Sequence, residues 1–323
     1  MTAILRAVLG AVILSLATQA HAQSWPTRPI KLIVPTGAGH AVDLMARILA
    51  TGVSQTLGQT VYVENIPGAS GILGAQKTAR ADPDGYTLLF APASLLSSNM
   101  YLFKSLSYDP TKDFAAIAMV CDSGPMVVSV NPDLPVTTIP ELIAHGKANP
   151  GSLSYAVDGS GGFAIAAARL LNKRGGIGMV EVPYRSSPQM VQDTMAGSIQ
   201  VMVTSIPPVA GAERAGKLRW IGVSSAQRFP GQEKLPTIAE TFPGFQIDGW
   251  FAVVAPAGTP APIVQRLNHE IDSVFKSPDV RQNALSLGMG VSDAGTPEST
   301  WSFIHSEQVR WRALVQELGM EPQ

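Results

Sequence analysis

The chain has 323 residues, of which 46% are hydrophobic and 15% are charged, with 23 Lys and Arg residues against 24 Asp and Glu residues. This apolar content can fill one large hydrophobic core or two smaller ones, and it excludes a disordered chain. The formal net charge of -1 creates no overall field that would attract nucleic acid or anionic lipid, so we expect no nucleic-acid partner.

The first 22 residues have the three parts of a secretory leader. Arg6 precedes a largely apolar run at residues 7–17, and Ala20-His21-Ala22 is a small-x-small cleavage signal. The run is shorter than the roughly 20 residues that span a bilayer, so we predict cleavage after Ala22. The single cysteine, Cys121, lies far from the leader and cannot carry a lipid there. We therefore expect a free periplasmic protein without a lipid anchor.

After the leader, β-branched runs alternate with segments of helical periodicity. Strands are predicted at residues 30–34, 61–64, 87–91, 153–157, 179–182 and 199–204. Helices are predicted at residues 42–57, 71–80, 139–148, 163–174 and 190–196, and two more follow the pairs Thr259-Pro260 and Thr296-Pro297. This alternation predicts an α/β fold in which parallel strands are joined by right-handed crossovers.

The strand and helix units fall into two groups, which are joined near residues 122–125 and again near residues 243–248. We predict that residues 23–122 and 248–323 form a first lobe and that residues 123–247 form a second. Two doubly wound lobes joined by two crossing segments enclose a cleft that can close by hinge motion.

A first glycine-rich stretch, residues 36–43, follows a predicted strand and begins a helix. Backbone N–H groups and a helix N-terminus attract anions at such a turn. The stretch resembles a dinucleotide fingerprint, but Val42 occupies the third glycine position, and an exported protein is not expected to hold a diffusible nicotinamide cofactor. We predict no cofactor. The sequence leaves open whether the turn contacts a ligand or whether Asp43 only complements the helix dipole.

Two further glycine-rich stretches precede helices. The stretch at residues 158–162 contains Ser160, but a nucleophile elbow needs glycine where Asp158 stands, so we favour an anion-binding turn over a nucleophile. The stretch at residues 65–71 is interpreted mainly as a tight turn.

Metal and acid–base chemistry have little support in the sequence. The five histidines are scattered, and none has a second metal ligand at a recognisable spacing. His40 is the exception in position, because it follows a glycine turn and could donate to an anion. Cys121 has no identifiable base and is interpreted as a buried apolar residue. Arg185 follows a predicted strand, where its guanidinium could bind a carboxylate, although a solvated surface arginine is an equal alternative.

Several short segments, found in the same order along the chain, together resemble the Bug family of extracytoplasmic solute receptors, the substrate-binding components of tripartite tricarboxylate transporters. These segments include Trp25-Pro26-Thr27-Arg28-Pro29-Ile30, Pro83-Asp84-Gly85-Tyr86-Thr87-Leu88, Asn149-Pro150-Gly151, Val182-Pro183-Tyr184 and Ala255-Pro256-Ala257-Gly258-Thr259-Pro260. The resemblance covers essentially the whole mature chain. It implies a two-lobed, type II periplasmic-binding-protein fold that closes on a small carboxylate held by main-chain amides, hydroxyls and water.

The resemblance also implies a set of ligand-binding residues in the loops that follow the strands. Together with His40 and Asp43, these residues are Thr36, Gly37, Ala38, Gly39, Ala93, Ser94, Asp158, Gly159, Ser160, Gly161, Tyr184, Arg185, Thr204, Ser205 and Asp248. The chain departs from the family pattern at Thr36 and His40, which add side-chain donors, and at Arg185-Ser186, which replaces Lys-Gly. From these departures, and from the apolar neighbours Phe163 and Trp250, we expect a dicarboxylate, tricarboxylate or aromatic carboxylate.

The resulting expectation is a monomeric periplasmic solute-binding protein, not an enzyme, that passes a carboxylate to membrane permease subunits. Two alternatives remain at this point. One is a secreted hydrolase that uses Ser160 as its nucleophile. The other is a receptor whose liganded form signals to a sensor protein.

Overall fold

The β-branched runs form the strands of a mixed sheet in the computed structural model, which describes residues 25–158, 162–184, 187–291 and 293–322. Within these ranges the strands, numbered in chain order, are β1 (Ile30–Val34), β2 (Val61–Asn65), β3 (Thr87–Pro92), β4 (Phe114–Val130), β5 (Ser154–Asp158), β6 (Val180–Tyr184), β7 (Val201–Ser205), β8 (Arg219–Val223) and β9 (Asp248–Pro256).

The helices connect these strands and cover both sides of the sheet. In the same described ranges they are α1 (Ala41–Leu57), α2 (Ile72–Ala79), α3 (Asn99–Leu102), α4 (Ile139–Ala148), α5 (Phe163–Gly175), α6 (Ser187–Met195), α7 (Ala210–Arg214), α8 (Ala261–Phe275), α9 (Pro278–Ser286) and α10 (Pro297–Leu318). Short turns of helix are also present at Ala69–Gly71, Ser94–Ser98 and Ile238–Glu240.

The strands hydrogen-bond in the order β2-β1-β3-β9-β4-β7-β5-β6, and β8 pairs with β4. β1 runs parallel to β2 and β3, and β5 runs parallel to β6 and β7. The predicted α/β class and the parallel pairing of these two groups are confirmed. β4, β8 and β9 were not predicted, and the pairs that β4 and β9 form are antiparallel.

β4 is a long strand that changes partners along its length. Its first part pairs with β9, from Phe114 opposite Pro256 to Pro125 opposite Asp248, and its last part pairs with β7 and β8. The register with β9 shifts three times between Ala116 and Gly124. Such bulges bend and twist a strand. The change of partner falls where the sequence predicts the crossing segments; the division into lobes stays a prediction.

The alternation of side chains along β1 shows how both faces of the sheet are buried. Ile30, Leu32 and Val34 belong to one core cluster, together with apolar residues of α1 and α8, whereas Ile33 belongs to a second cluster with Ala75 of α2. Successive strand residues point to opposite faces, so a strand covered on both sides must be apolar at both sets of positions. The near-continuous apolar run of β1 follows from this burial.

The two Thr-Pro helix signals have different outcomes. Thr296 caps α10 through a hydrogen bond from the backbone N–H of Ser299 at 3.1 Å, as the sequence predicts. Thr259 does not cap α8, because its hydroxyl donates to the carbonyl of Pro256 at 2.7 Å. Among the residues described above, no helix combines the length and apolar character needed to cross a membrane.

We predict that Gly124→Ala lowers the stability of the fold. A Cβ atom at Gly124 would lie 3.1 Å from the carbonyl oxygen of Gly249 on the paired strand, and backbone cannot move aside as a flexible side chain can. Overpacking of this kind costs roughly 1–3 kcal/mol. Urea denaturation measures the change. Gly211→Ala in α7 is the control, because a Cβ there meets no atom within 4 Å; a Gly124→Ala variant as stable as this control would contradict the prediction.

Candidate functional site

A cleft of about 480 Å³ lies at the C-terminal ends of β1, β3 and β7, beside the first residues of β9 and beside Met126 within β4. Pro35, Pro92, Phe251, Met126 and Ser205 contribute to its lining from these five strands or the residue that follows them. Phe251 is paired with Pro92, and Met126 is paired with Ser205, so the cleft crosses from the first group of strands to the second.

The turn between β1 and α1 contributes Thr36, Gly37, His40 and Val42 to the cleft. The hydroxyl oxygen of Thr36 is buried and has no hydrogen-bond partner among the described residues. His40 occupies the N-cap position of α1, and no side chain caps this helix. The turn therefore places a buried hydroxyl without a partner and a helix N-terminus next to the same space.

Asp43 stabilises this turn through the hydrogen bonds of its carboxylate. Its carboxylate accepts hydrogen bonds from the backbone N–H of Gly39 at 2.9 Å, from Arg47 Nε at 3.0 Å and from Asn65 Nδ2 at 2.8 Å. The same Asn65 amide donates to the carbonyl of Thr36 at 3.0 Å. Burial alone would raise the pKa of Asp43, but these hydrogen bonds outweigh it and hold the pKa at about 2. Asp43 thus stays ionised and fixes the turn without lining the cleft.

Two more turns line the same end of the cleft. Gly68, Ser70 and Gly71 come from the stretch that precedes α2, and Ala93 and Ser94 come from the turn that follows β3. Gly68 and Gly71 have φ angles of 128° and 86°, which agrees with the predicted tight turn. Sequence reasoning missed that this turn also faces the cleft, because the glycines that allow the turn give no sign of where it points.

The helices α1, α2 and α5 and the short helical turn Ser94–Ser98 begin beside the cleft, and within the described residues none of their N-cap side chains makes a capping hydrogen bond. Their N-cap residues are His40, Gly71, Ala93 and Gly162. By contrast, Thr138 and Thr296 cap α4 and α10, and neither threonine lines the cleft. Uncapped first-turn N–H groups and the positive end of the helix dipole favour an anion. The arrangement is suited to binding a negatively charged group.

Apart from Ser205, the rest of the cleft is lined by apolar residues and glycine, and neighbouring side chains fix the positions of its aromatic residues. The indole Nε1 of Trp250 donates to Glu307 at 3.1 Å, and the ring of Phe163 meets Trp311 edge-on at a centroid distance of 4.7 Å. Phe251 packs against Phe90 at 5.5 Å. Phe163 and Trp250 lie against the cleft, where the sequence predicts them as apolar neighbours.

Comparison with known proteins identifies the family. Residues 45–320 match the TctC family model, described as the tripartite tricarboxylate transporter family receptor. The chain belongs to this family. BugT of Bordetella pertussis (strain Tohama I) is 35% identical over 319 residues, which cover 98% of this chain and 97% of BugT. The family consists of solute-binding receptors, so the chain is a receptor and not an enzyme, and the hydrolase alternative is set aside.

Solved structures show the same fold. Rpa4515 of R. palustris, solved with adipate, is 30% identical, with a TM-score of 0.80 over 93% of this chain and 100% of that one. MatC (Rpa3494) of Rhodopseudomonas palustris, solved with bound malate, is 30% identical, with a TM-score of 0.73 over 90% of this chain and 100% of that one. The periplasmic binding protein BugD is also 30% identical, with a TM-score of 0.76 over 93% of this chain and all of BugD. The predicted two-lobed binding-protein fold is confirmed.

The ligand-binding residues that the sequence predicts lie in several different parts of the structure. Thr36, Gly37, His40, Ala93, Ser94 and Ser205 line the cleft, whereas Ala38, Gly39, Asp43 and Thr204 do not. Tyr184 ends β6 and donates from its hydroxyl to Asp193 at 2.7 Å; burial and this hydrogen bond raise the pKa of Tyr184 to about 12. Asp158 ends β5 opposite Tyr184. Gly159, Ser160, Gly161 and Arg185 lie outside the described residues.

Asp248 borders a separate cavity of about 430 Å³ between the two crossing segments. Its side chain is buried, Oδ2 accepts a hydrogen bond from Gln246 at 3.2 Å, and Oδ1 has no partner within the described part of the chain. Burial raises the pKa of Asp248 to about 6, although Gln246 and Arg310 oppose the rise; Glu307 and Asp122 add to it. No cluster of metal-ligating side chains occurs in the described ranges.

We predict that Asp248 makes the receptor less stable as the pH rises from 4 to 7. The unfolded chain loses this proton near the ordinary pKa of 3.8, before the folded chain does, so stability falls until the pH passes the folded pKa of about 6. The difference corresponds to roughly 3 kcal/mol. In Asp248→Asn the residue cannot ionise, so the variant should gain about this much relative to the unchanged protein between pH 4 and pH 7.

Urea denaturation at a series of pH values measures this gain. Asp82→Asn is the control, because Asp82 is exposed. An equal pH dependence in the Asp248 variant and the unchanged protein would contradict the prediction.

Proposed function

We propose that this receptor works in the periplasm, binds a small organic carboxylate in the cleft and presents it to the membrane subunits of a tripartite tricarboxylate transporter. The observation that carries the proposal is that the N-termini of α1, α2 and α5, whose N-cap side chains make no capping hydrogen bond, lie around one cleft beside the buried, unpartnered Thr36 hydroxyl. A carboxylate is an anion of the size and hydrogen-bonding capacity that such donors suit.

The charge of the cleft supports an anion held by dipoles. Of the described residues that line it, His40 is titratable, and none is Asp, Glu, Lys or Arg. No acidic side chain among them repels a carboxylate, and the negative charge of Asp43 behind the turn is paired with Arg47. A hydrogen bond to a charged group contributes roughly 1.5–3 kcal/mol, so three such donors can reach the roughly -8 kcal/mol of micromolar binding.

The proposed ligand contacts follow the placement of the residues. Thr36, Gly37, His40, Ala93 and Ser94 hold one carboxylate at the first group of strands, and Ser205 faces the other end. The sequence-based expectation for a second acidic group of the ligand is Ser160 or Arg185, which lie outside the described residues. The adipate and malate bound to the two relatives, both dicarboxylates, support this class of ligand.

We predict that Thr36→Val weakens binding of a dicarboxylate. The change replaces the hydroxyl by a methyl group of similar size, so it removes one hydrogen bond to the anion while the turn keeps its shape. Loss of a hydrogen bond to a charged group lowers affinity roughly tenfold or more. Isothermal titration with adipate and with malate gives the dissociation constants.

Thr56→Val is the matched control, because Thr56 is exposed near the opposite end of α1. Unchanged affinity in Thr36→Val would remove this hydroxyl from the site. Absence of binding by any dicarboxylate or tricarboxylate in the unchanged protein would contradict the proposed function.

The proposed location also has a direct test. We predict that the full chain, expressed in a Gram-negative host, is recovered from the periplasm with Gln23 as its first residue, because the leader is cleaved after Ala22. N-terminal sequencing of the periplasmic fraction identifies the cleavage site. Recovery of the uncleaved chain in the membrane fraction would contradict a free periplasmic receptor.

A further inference from the structure

The cleft has donors at one end and an apolar middle. The strand order runs β1, β3, β9, β4, β7, and the turns that follow β1 and β3 supply the hydroxyl and backbone donors. The central strands β9 and β4 supply Trp250, Phe251 and Met126, and β7 supplies Ser205 at the far side. A ligand that reaches from the turns to Ser205 must therefore pass the part of the cleft that Phe251 and Met126 line.

In this middle region the ring of Phe251 is partly exposed, whereas Trp250 is 1% exposed and lies beneath the surface, and neighbours fix the positions of both rings. The single polar atom of the Trp250 side chain is already bound to Glu307, which also accepts from Arg310 at 2.6 Å. The indole therefore has no hydrogen bond to give to a ligand. The ring of Phe163 packs edge-on against the ring of Trp311. Pre-organised side chains of this kind lose little freedom when a ligand binds.

We propose that the receptor selects acids whose body is an unsubstituted hydrocarbon chain or an aromatic ring, and that it discriminates against acids with a hydroxyl in that body. This selectivity rests on the proposed function, because it requires a carboxylate at the donor end of the same cleft. A hydroxyl group placed over Phe251 and Met126 leaves water without finding a partner, whereas each methylene there is removed from water.

The expected effects are large enough to measure as ratios of dissociation constants. Each buried methylene strengthens binding by about fourfold. A hydroxyl that is desolvated without a partner weakens binding roughly fivefold or more. Isothermal titration with succinate, glutarate and adipate tests the first effect. The pair succinate and malate, which differ by one hydroxyl, tests the second.

Met126→Gln tests the location of the selectivity. The new amide places a hydrogen-bonding group of similar length in the apolar middle, so the preference for succinate over malate should shrink at least threefold. Met195→Gln is the control, because Met195 is a partly buried methionine that lies outside the cleft. The ratio for this control should match that of the unchanged protein.

The outcomes separate the two proposals. Binding of malate as tight as that of succinate, or affinity that does not rise from succinate to adipate, would overturn the selectivity and leave the carboxylate receptor intact. Binding of none of these acids would overturn the proposed function and the selectivity together. If Met126→Gln does not fold, the ratios measured on the unchanged protein still decide the selectivity. A preference that persists in folded Met126→Gln would overturn the assignment to the apolar middle.

Discussion

The antiparallel pairing of β4 with β9 is the interaction on which the cleft depends. β4 is paired with β9 along its first part and with β7 and β8 along its last part, so one strand belongs to both halves of the sheet. At the change of partner, Gly124 and Gly249 face each other across the two crossing segments. Close to this pair, Trp250 and Met126 are among the residues that line the cleft. The geometry that joins the halves therefore also sets the middle of the binding surface.

The electrostatics of the cleft follow from the positions and pairing of the charged side chains near it. Free backbone donors attract an anion only if nearby carboxylates do not repel it. Asp43 lies next to the donor turn, yet its charge is neutralised by Arg47, and its oxygens are used to hold Gly39 and Asn65. The same residue thus shapes the turn and keeps its own negative charge out of the cleft.

The sequence predicts local features well, but it predicts poorly which distant residues the fold brings together. Glycine turns, apolar strands such as β1 and the Thr296 cap are determined by nearby residues, so the pattern reveals them. β4 and β9 were missed because bulges interrupt the alternation along β4, and the pairing that defines them joins residues more than 100 positions apart. The turn at residues 65–71 was recognised, but its direction depends on how α2 packs, and no local signal encodes that. Asp248 is among the predicted ligand residues because the family resemblance places the segment from Asp248 to Trp250 at the border of the cleft.

Glu307 accounts for the different roles of Asp248 and Trp250 in β9. Its buried carboxylate accepts from the indole of Trp250 and from Arg310, and burial raises its pKa. Its negative charge also opposes ionisation of Asp248, two residues before Trp250. One side chain of α10 thus fixes the aromatic surface of the cleft and helps keep the carboxyl of the crossing segment protonated at mildly acidic pH. The contact of α10 with β9 therefore links the wall that faces the ligand to the segment where the two halves of the sheet join.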